Sequence, residues 1–286
     1  MKIALLGANG QLGRDLQRSL HDHTIIPLSK GELDVTNNAQ TRAVLSRLRP
    51  QVVLNTTAYH RVDDCESLPE TAYAANTLSV LNLARLANEL DAILVHFSTD
   101  YVFNGKSREP YTEESEPFPL NVYANSKLAG EFLVRTVAQK YFLVRTCGLY
   151  GTAGSRGKGG NFVEVMLAKA RRGEPIRVVD DQTLTPTYTV DLANQVARIL
   201  LTTHYGLFHM TNEGSCSWYE FSKAIFEITR IEADLTPTTS DLYKSPAIRP
   251  SYSVLENGRL KALGMNQMRH WRDALAAYLK EKSLGG

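Results

Sequence analysis

The chain has 286 residues, a formal net charge of +2, 43% hydrophobic and 22% charged residues, the make-up of an ordinary globular protein with material for one or two domains. So small a net charge argues against nucleic acid and against an anionic membrane as partner. The three cysteines, Cys65, Cys147 and Cys216, fit no disulfide framework and no metal spacing, no apolar run reaches the roughly 18 residues of a membrane span, and Ile3–Leu6 is too short for a signal peptide, so a reducing, cytoplasmic setting is expected.

Lys2-Ile3-Ala4-Leu5-Leu6 is a short continuous apolar run, the mark of a strand buried on both faces. It ends in Gly7-Ala8-Asn9-Gly10-Gln11-Leu12-Gly13, after which Leu12, Leu16 and Leu20 recur at helical spacing. Strand, glycine turn, helix start is the arrangement that lets backbone approach a pyrophosphate and offers free N–H groups to the anion. The spacing is Gly-x-x-Gly-x-x-Gly rather than the commoner Gly-x-Gly-x-x-Gly. Gly7, Gly10, Gln11, Leu12 and Gly13 are the expected cofactor loop, with a plain tight turn as the alternative.

Residues 23–28 read as the second strand. A carboxylate at its end would bind the ribose 2′-hydroxyl of NAD and repel a 2′-phosphate. Ser29-Lys30 stand there instead, and Lys30 is placed to neutralise a phosphate. NADPH is therefore expected, with NADH kept open by nearby Glu32. Asp34-Val35 are placed to touch the adenine. Val52-Val53-Leu54-Asn55 is another buried strand, running into Thr56-Thr57-Ala58-Tyr59; Ala58 and Tyr59 are assigned to the cofactor. Residues 70–90 read as a helix, with Asn76 able to tie neighbouring loops. Ala92–Phe97 is a further strand ending in Ser98-Thr99-Asp100. Ligands of doubly wound sheets sit beyond the carboxyl ends of strands, so Thr99 is well placed to offer a hydroxyl; a Ser/Thr turn is the plainer alternative.

Pro117-Phe118-Pro119 leads into Asn121-Val122-Tyr123-Ala124-Asn125-Ser126-Lys127 and an apolar-periodic run to Val137. Tyr123 thus falls in the first turns of a helix, with Lys127 at i+4 on the same face. Free tyrosine titrates near ~10, and a fixed cation nearby favours the phenolate. A packed ring beside a solvated charge is the plainer alternative for such a pair. Residues 141–145 form one more strand. Strands alternating with helices across this half indicate an α/β protein with a parallel sheet.

In the other half, residues 151–160 form a Gly/Ser-rich loop bearing Arg156 and Lys158, either a lid over an anionic ligand or a plain surface loop. Helices are expected at 161–170, 190–201, 218–229 and from Trp271, and strands at 176–179 and 206–210, the latter returning to the main sheet. Trp218, Phe221, Ile225 and Ile228 read as core, and the chain end from Ser283 as frayed. A buried-facing Arg249 can hold a diphosphate through paired N–H groups, with a surface salt bridge as the alternative.

Gly7-x-x-Gly10-x-x-Gly13, Thr99 and Tyr123-x-x-x-Lys127 together resemble the extended short-chain dehydrogenase/reductases. Residues 97–103, 119–123, 126–131 and 143–146, with Asn161-Phe162, Asp181-Gln182, Pro186-Thr187 and Arg249-Pro250, are similar to the dTDP-4-dehydrorhamnose reductases among them. The resemblance implies a doubly wound Rossmann domain, residues 1–149 plus about 187–211, and a smaller sugar-nucleotide region, about 150–186 and 212–286. It implies reduction of a nucleotide-linked 4-keto-6-deoxy sugar, with Thr99, Tyr123 and Lys127 catalytic and Tyr123 and Lys127 also touching the cofactor. Substrate contacts are expected from Thr99, Asp100, Gly148, Asn161, Gln182 and Arg249, and the partner chain, if any, is a second copy.

The chain departs from that family in two places. Cys147-Gly148 stand where a Ser-Trp is frequent, so a gap is expected where the Trp would stack on the sugar. Asp15 and Val190 stand where relatives with a dimer-contact Mg²⁺ have glutamates, so no metal is expected. Two rivals stay open. An epimerase or dehydratase on the same scaffold is kept alive by Asp100 after Thr99. A non-catalytic regulatory subunit, like one found in methionine adenosyltransferase assemblies, is opposed by the intact Thr99, Tyr123 and Lys127.

Overall fold

The computed structural model describes residues 1–153 and 160–284; the expected loop cations Arg156 and Lys158, and Gly285 and Gly286 at the end, lie outside the described residues. The first apolar run forms β1 (Lys2–Leu6), and the leucine-spaced segment after the glycine turn forms α1 (Gln11–Ser19). β2 (Thr24–Leu28), α2 (Asn38–Leu48) and β3 (Val52–Asn55) follow. α3 (Val62–Ser67) precedes a rod made of α4 (Pro69–Tyr73), a π-helical turn (Ala74–Leu78) and α5 (Ser79–Glu89). An uninterrupted helix was the expectation over 70–90. The wide turn carries Asn76 inward: it accepts from the Tyr59 N–H and donates to the Tyr59 carbonyl and Ser126 Oγ. Such π-turns recur at functional sites because they re-aim one residue out of the helical register.

β4 (Ile93–Thr99), a 3₁₀ turn (Asp100–Val102), α6 (Val122–Val137) and β5 (Tyr141–Thr146) complete the first half. Then come β6 (Leu149–Tyr150), α7 (Phe162–Arg171), β7 (Ile176–Val179), β8 (Thr183–Leu184), β9 (Thr187–Tyr188), α8 (Thr189–Ile199) and β10 (Gly206–His209). β11 (Cys216–Ser217), α9 (Trp218–Thr229), β12 (Leu235–Thr238), α10 (Gly258–Ala262) and α11 (Trp271–Leu284) close the chain. α11 is helical through Ser283, where fraying was expected.

The main sheet has the order β10-β5-β4-β3-β1-β2, every pairing parallel. Its order reverses between β1 and β3, so a crevice opens beyond their carboxyl ends, where ligands of such sheets bind. One face is covered by α1 and α8 through Leu12, Leu16, Leu192 and Val196. The other is covered through Leu45, Leu83, Ala84 and Val134 of α2, α5 and α6. Both faces being covered is why the strands read as apolar throughout instead of alternating. Each fully buried leucine contributes on the order of 1.5–3 kcal/mol relative to exposure.

A third apolar cluster holds α7, α9 and α11 together through Val163, Phe221, Ile225 and Leu275. α7 and α9 both start on capping boxes, Asn161 with Glu164 and Ser217 with Glu220, which satisfy the free N–H groups of the first turn. Of three two-stranded sheets, β6–β9, β7–β12 and β8–β11, β6–β9 links this cluster to the main sheet, with Leu149 packed on the α1/α8 face and Tyr150 and Tyr188 in the cluster. β6, β8, β9 and β11 are two residues each, too short for any alternation to be read.

Candidate active site

The glycine turn is built for a close approach. Gly7 has φ +79°, and a Cβ there would stand 2.6 Å from Thr56 Oγ1; a Cβ on Gly13 would stand 2.5 Å from the Gly7 carbonyl. Larger residues are barred at both positions, one by conformation and contact and one by contact. α1 then begins on Gly10 with no side-chain cap and no acid in its first turn, which leaves its N–H groups and positive dipole end to an anion. Gln11 donates to the Leu149 carbonyl, while its Oε1 is buried without a partner. An uncapped helix start, glycines that cannot be replaced and an orphaned amide oxygen fit the phosphates and polar edge of a dinucleotide.

At the end of β2, Ser29 donates from both N–H and Oγ to Glu32 Oε2, at 2.7 and 2.6 Å. Lys30 is exposed and stands 3.8 Å from Asp34, whose Oδ1 accepts from Thr36. The Glu32 carboxylate is thus turned back onto Ser29, and the exposed Lys30 has Asp34 as a loose partner at the strand end. Val35 is buried, Ala58 is exposed and Tyr59 is half-buried.

Thr99, Asp100 and Tyr123 meet at the end of β4, and Lys127, one turn on from Tyr123 in α6, reaches back to β4 at Phe97. Asn121 caps α6, accepting from the Ala124 N–H at 2.8 Å and donating to the Ile248 carbonyl. That cap fixes the helix start and presents Tyr123 in its first turn. The Tyr123 phenol hydrogen-bonds Thr99, and Thr99 Oγ1 donates to Asp100 Oδ1 at 3.0 Å. Directly across in the β4–β5 register, Thr146 offers a buried hydroxyl with no partner. Burial raises the Tyr123 pKa; the Thr99 hydrogen bond opposes this and the Asp100 carboxylate adds to it. The expected lowering by Lys127 is not seen. Lys127 Nζ instead donates to the Phe97 carbonyl at 2.6 Å and meets His96 Nε2 at 3.3 Å, and burial lowers its own pKa to about 8. A dry site penalises both charged forms, the phenolate and the ammonium alike.

Asp100 is buried and, among the described residues, has no ion-pair partner. Cys147 Sγ donates to its Oδ2 at 2.9 Å, and Thr99 and Ser253 supply further hydrogen bonds. Burial raises its pKa despite them. The expected gap at Gly148 is closed. Gly148 has φ +54°, and a Cβ there would meet Leu184 Cδ1 at 3.1 Å and Pro186 Cα at 3.2 Å. The chain after β5 turns away in a left-handed conformation and packs on the β8–β9 link. The nearby rings Tyr150 and Phe162 are engaged elsewhere: Tyr150 is buried against Tyr188, Tyr278 and Phe221, and Phe162, half-buried, packs on Trp218 and Phe221.

The other substrate candidates lie in structural contacts. Asn161 caps α7 and spends its Nδ2 on the Gly151 carbonyl and the Tyr278 hydroxyl. Gln182 donates to Ser240. Arg249 forms a salt bridge with Asp63, one of its two readings from sequence. Cys147, Ser253, Tyr101 and His96 complete the site and were not among the candidates. Only His96 leaves a signal, as a lone polar residue inside an apolar strand.

Comparison with known proteins adds to this geometry. The family model described as the RmlD substrate binding domain matches residues 1–284. The chain is 38% identical over 284 residues to the spore coat polysaccharide biosynthesis protein SpsK of Bacillus subtilis, covering 99% of this chain and 98% of that protein. It is 38% identical to a dTDP-4-dehydrorhamnose reductase of Streptomyces griseus, covering 94% and 90%. A crystal structure of dTDP-4-dehydrorhamnose reductase from Bacillus anthracis in complex with NADP superposes with a TM-score of 0.93 at 38% identity, covering 98% and 99%.

Proposed function

The chain belongs to the RmlD substrate binding domain family, and from that membership and the site above we propose that it reduces the 4-keto group of a nucleotide-linked 6-deoxy sugar with NADPH. dTDP-4-dehydrorhamnose, giving dTDP-L-rhamnose, is the foremost substrate, in line with the names of its relatives. The observation that supports the reading is the pairing of Tyr123 with Thr99 at the end of β4, with Lys127 one helical turn on from Tyr123 in α6, in a sheet whose first strand runs into the Gly7–Gly13 turn.

The dinucleotide, when bound, supplies a hydride to the keto carbon. Gly7, Gly10, Gln11, Leu12 and Gly13 hold its phosphates, and Ser29, Lys30, Asp34, Val35, Ala58 and Tyr59 its adenosine half. Thr99 donates a hydrogen bond to the keto oxygen and aligns it. Tyr123 gives that oxygen the proton that makes it a hydroxyl. Its raised pKa keeps the phenol protonated until charge develops on the substrate oxygen. Lys127 stabilises the phenolate left behind and bonds the nicotinamide ribose. Asp100, held by Cys147 and Ser253, anchors Thr99, and Arg249 receives the diphosphate once it leaves Asp63.

The proposed division is a dinucleotide-binding unit, 1–149 with about 187–211, and a sugar-nucleotide unit from the remainder; separate apolar clusters around the main sheet and around α7, α9 and α11 support it, while Leu260 and Met268 pack on the sheet side and Tyr188 on the other. Among the described residues no helix is long and apolar enough to cross a membrane; Cys65, Cys147 and Cys216 are buried and not joined in disulfides, which supports a reducing compartment such as the cytoplasm. A homodimer is the proposed assembly, with exposed Leu78 and Phe132, on helical segments that pack together, as apolar surface for a second copy to cover. The test of the function is NADPH oxidation by the purified protein across a panel of nucleotide-linked 4-keto sugars. Turnover confined to 4-keto-6-deoxy sugars supports it, and no turnover with any of them overturns it.

A further inference from the structure

His96 stands in β4 with no exposed surface, and each ring nitrogen faces one side chain. Asn55, its Cα partner on β3, is equally buried. The orientation of the Asn55 amide is set by its oxygen, which accepts from the Thr57 N–H at 3.1 Å and from Thr57 Oγ1 at 2.6 Å. Its nitrogen is therefore the atom that meets His96 Nδ1 at 3.1 Å, and it can only donate. Nδ1 is then the acceptor, and the single proton of the neutral ring sits on Nε2.

That Nε2–H faces Lys127 Nζ at 3.3 Å. An ammonium and a ring N–H are both donors and repel; an amine has a lone pair and accepts. The ring stays neutral because burial, and then the Lys127 charge, push its pKa far down. Two groups bear on Nζ from the other side. The Phe97 carbonyl accepts from it at 2.6 Å, and Glu131, one turn along α6, favours the ammonium. The Glu131 carboxylate is itself taken by three N–H bonds from Arg145 on β5.

Resting on the reducing site proposed above, we propose that His96 is a positioning residue for Lys127: held by Asn55, it aims its Nε2–H at Nζ and stabilises the free amine that Lys127 becomes on giving a proton to the Tyr123 phenolate. The Phe97 carbonyl then serves the ammonium and the His96 N–H serves the amine, so both forms have a partner in the same dry space. Proton return moves one proton from Nζ to the Tyr123 oxygen, and the amine left behind accepts from the His96 N–H that the ammonium could not use.

The experiment has two arms, and the first reads the protein whether or not it reduces a sugar. In the full-length protein labelled with ¹⁵N-histidine, the His96 ring near neutral pH should show a protonated Nε2 and a bare Nδ1; the opposite tautomer overturns the proposal. In the second arm the pH profile of NADPH-dependent reduction is measured for the parent, His96→Leu and His96→Gln. His96→Leu should move the alkaline limb upward by about one pH unit, as expected on losing one hydrogen bond to the amine. His96→Gln, whose amide can accept from Asn55 and donate to Nζ, should restore the parent profile. An alkaline limb that stays put in His96→Leu overturns the role. A parent protein without turnover on any sugar sinks the reducing reading, and the tautomer measurement then stands alone.

Discussion

Arg249 meets Asp63 through two parallel bonds, Nη1 to Oδ1 at 3.1 Å and Nη2 to Oδ2 at 2.9 Å, across 186 residues of chain. Ser245 Oγ and the Ala247 N–H donate to the same carboxylate, and Tyr101 bonds the guanidinium. The paired guanidinium bonds hold the Asp63 carboxyl down to about 2. A carboxylate gripped by a forked guanidinium, a hydroxyl and a backbone N–H occupies the kind of cradle that suits a phosphate.

If Arg249 holds the diphosphate as proposed, substrate competes with Asp63 for it. Arg249→Ala should raise KM for the nucleotide sugar about tenfold, equivalent to roughly 1.4 kcal/mol. Asp63→Asn should lower KM, because the guanidinium is released. Both side chains are partly exposed, so the loss of stability in either variant should stay within about 1 kcal/mol. Steady-state kinetics decide the matter; a KM that neither variant moves takes Arg249 out of the substrate site.

Tyr123→Phe keeps the ring, and with it the edge-on contact to Tyr101 at 6.3 Å between centroids, while removing the hydroxyl that bonds Thr99. Turnover should fall by about 10²–10⁴-fold, the usual contribution of a general acid, with the cofactor Kd nearly unchanged. Near-normal turnover would reassign the proton donor.

Lys30→Glu places a carboxylate on an exposed position beside Asp34. It should repel the 2′-phosphate and shift the ratio of kcat/KM values from NADPH towards NADH. An unmoved ratio would show that Lys30 does not read the phosphate.

Gly148→Trp cannot restore a stacking ring. A side chain at φ +54° costs on the order of 1–2 kcal/mol, and its Cβ would press on Leu184 and Pro186. Gly148→Ala should lose about that much stability in a denaturant titration, and Gly148→Trp more. A tryptophan variant as stable as the parent would show that the β8–β9 link yields.

Acid should destabilise the fold through its buried histidines. Burial and the neighbouring Arg145 charge lower the His209 pKa to about 3. Its unfolded value lies near ~6.5. Between these values the unfolded chain binds the proton and the folded chain does not, so stability falls as pH drops through that window, by up to about 1.4 kcal/mol per pH unit for this ring. His209→Phe should flatten the pH dependence of the unfolding free energy there; an unchanged slope would assign the acid sensitivity elsewhere.

The sequence alone determined the parts of this protein that are written in local pattern. Continuous apolar runs placed β1, β3, β4 and β5, because a strand covered on both faces has no polar side to show. The Gly7–Gly13 turn and the spacing of Tyr123 and Lys127 were legible because a turn and one helical step bring their own residues together. Tertiary structure decided everything that joins distant stretches. It gave Arg249 to Asp63, Asp100 to Cys147, and His96 to both Asn55 and Lys127. It closed the space at Gly148 with Leu184 and Pro186, and it drew Lys127 to the Phe97 carbonyl. These contacts have no period and no spacing, since each depends on which strands and loops lie side by side. The charge state of Tyr123 and Lys127 follows the same rule: a titrating group answers to the dryness and dipoles around it, and those exist only once the chain has folded.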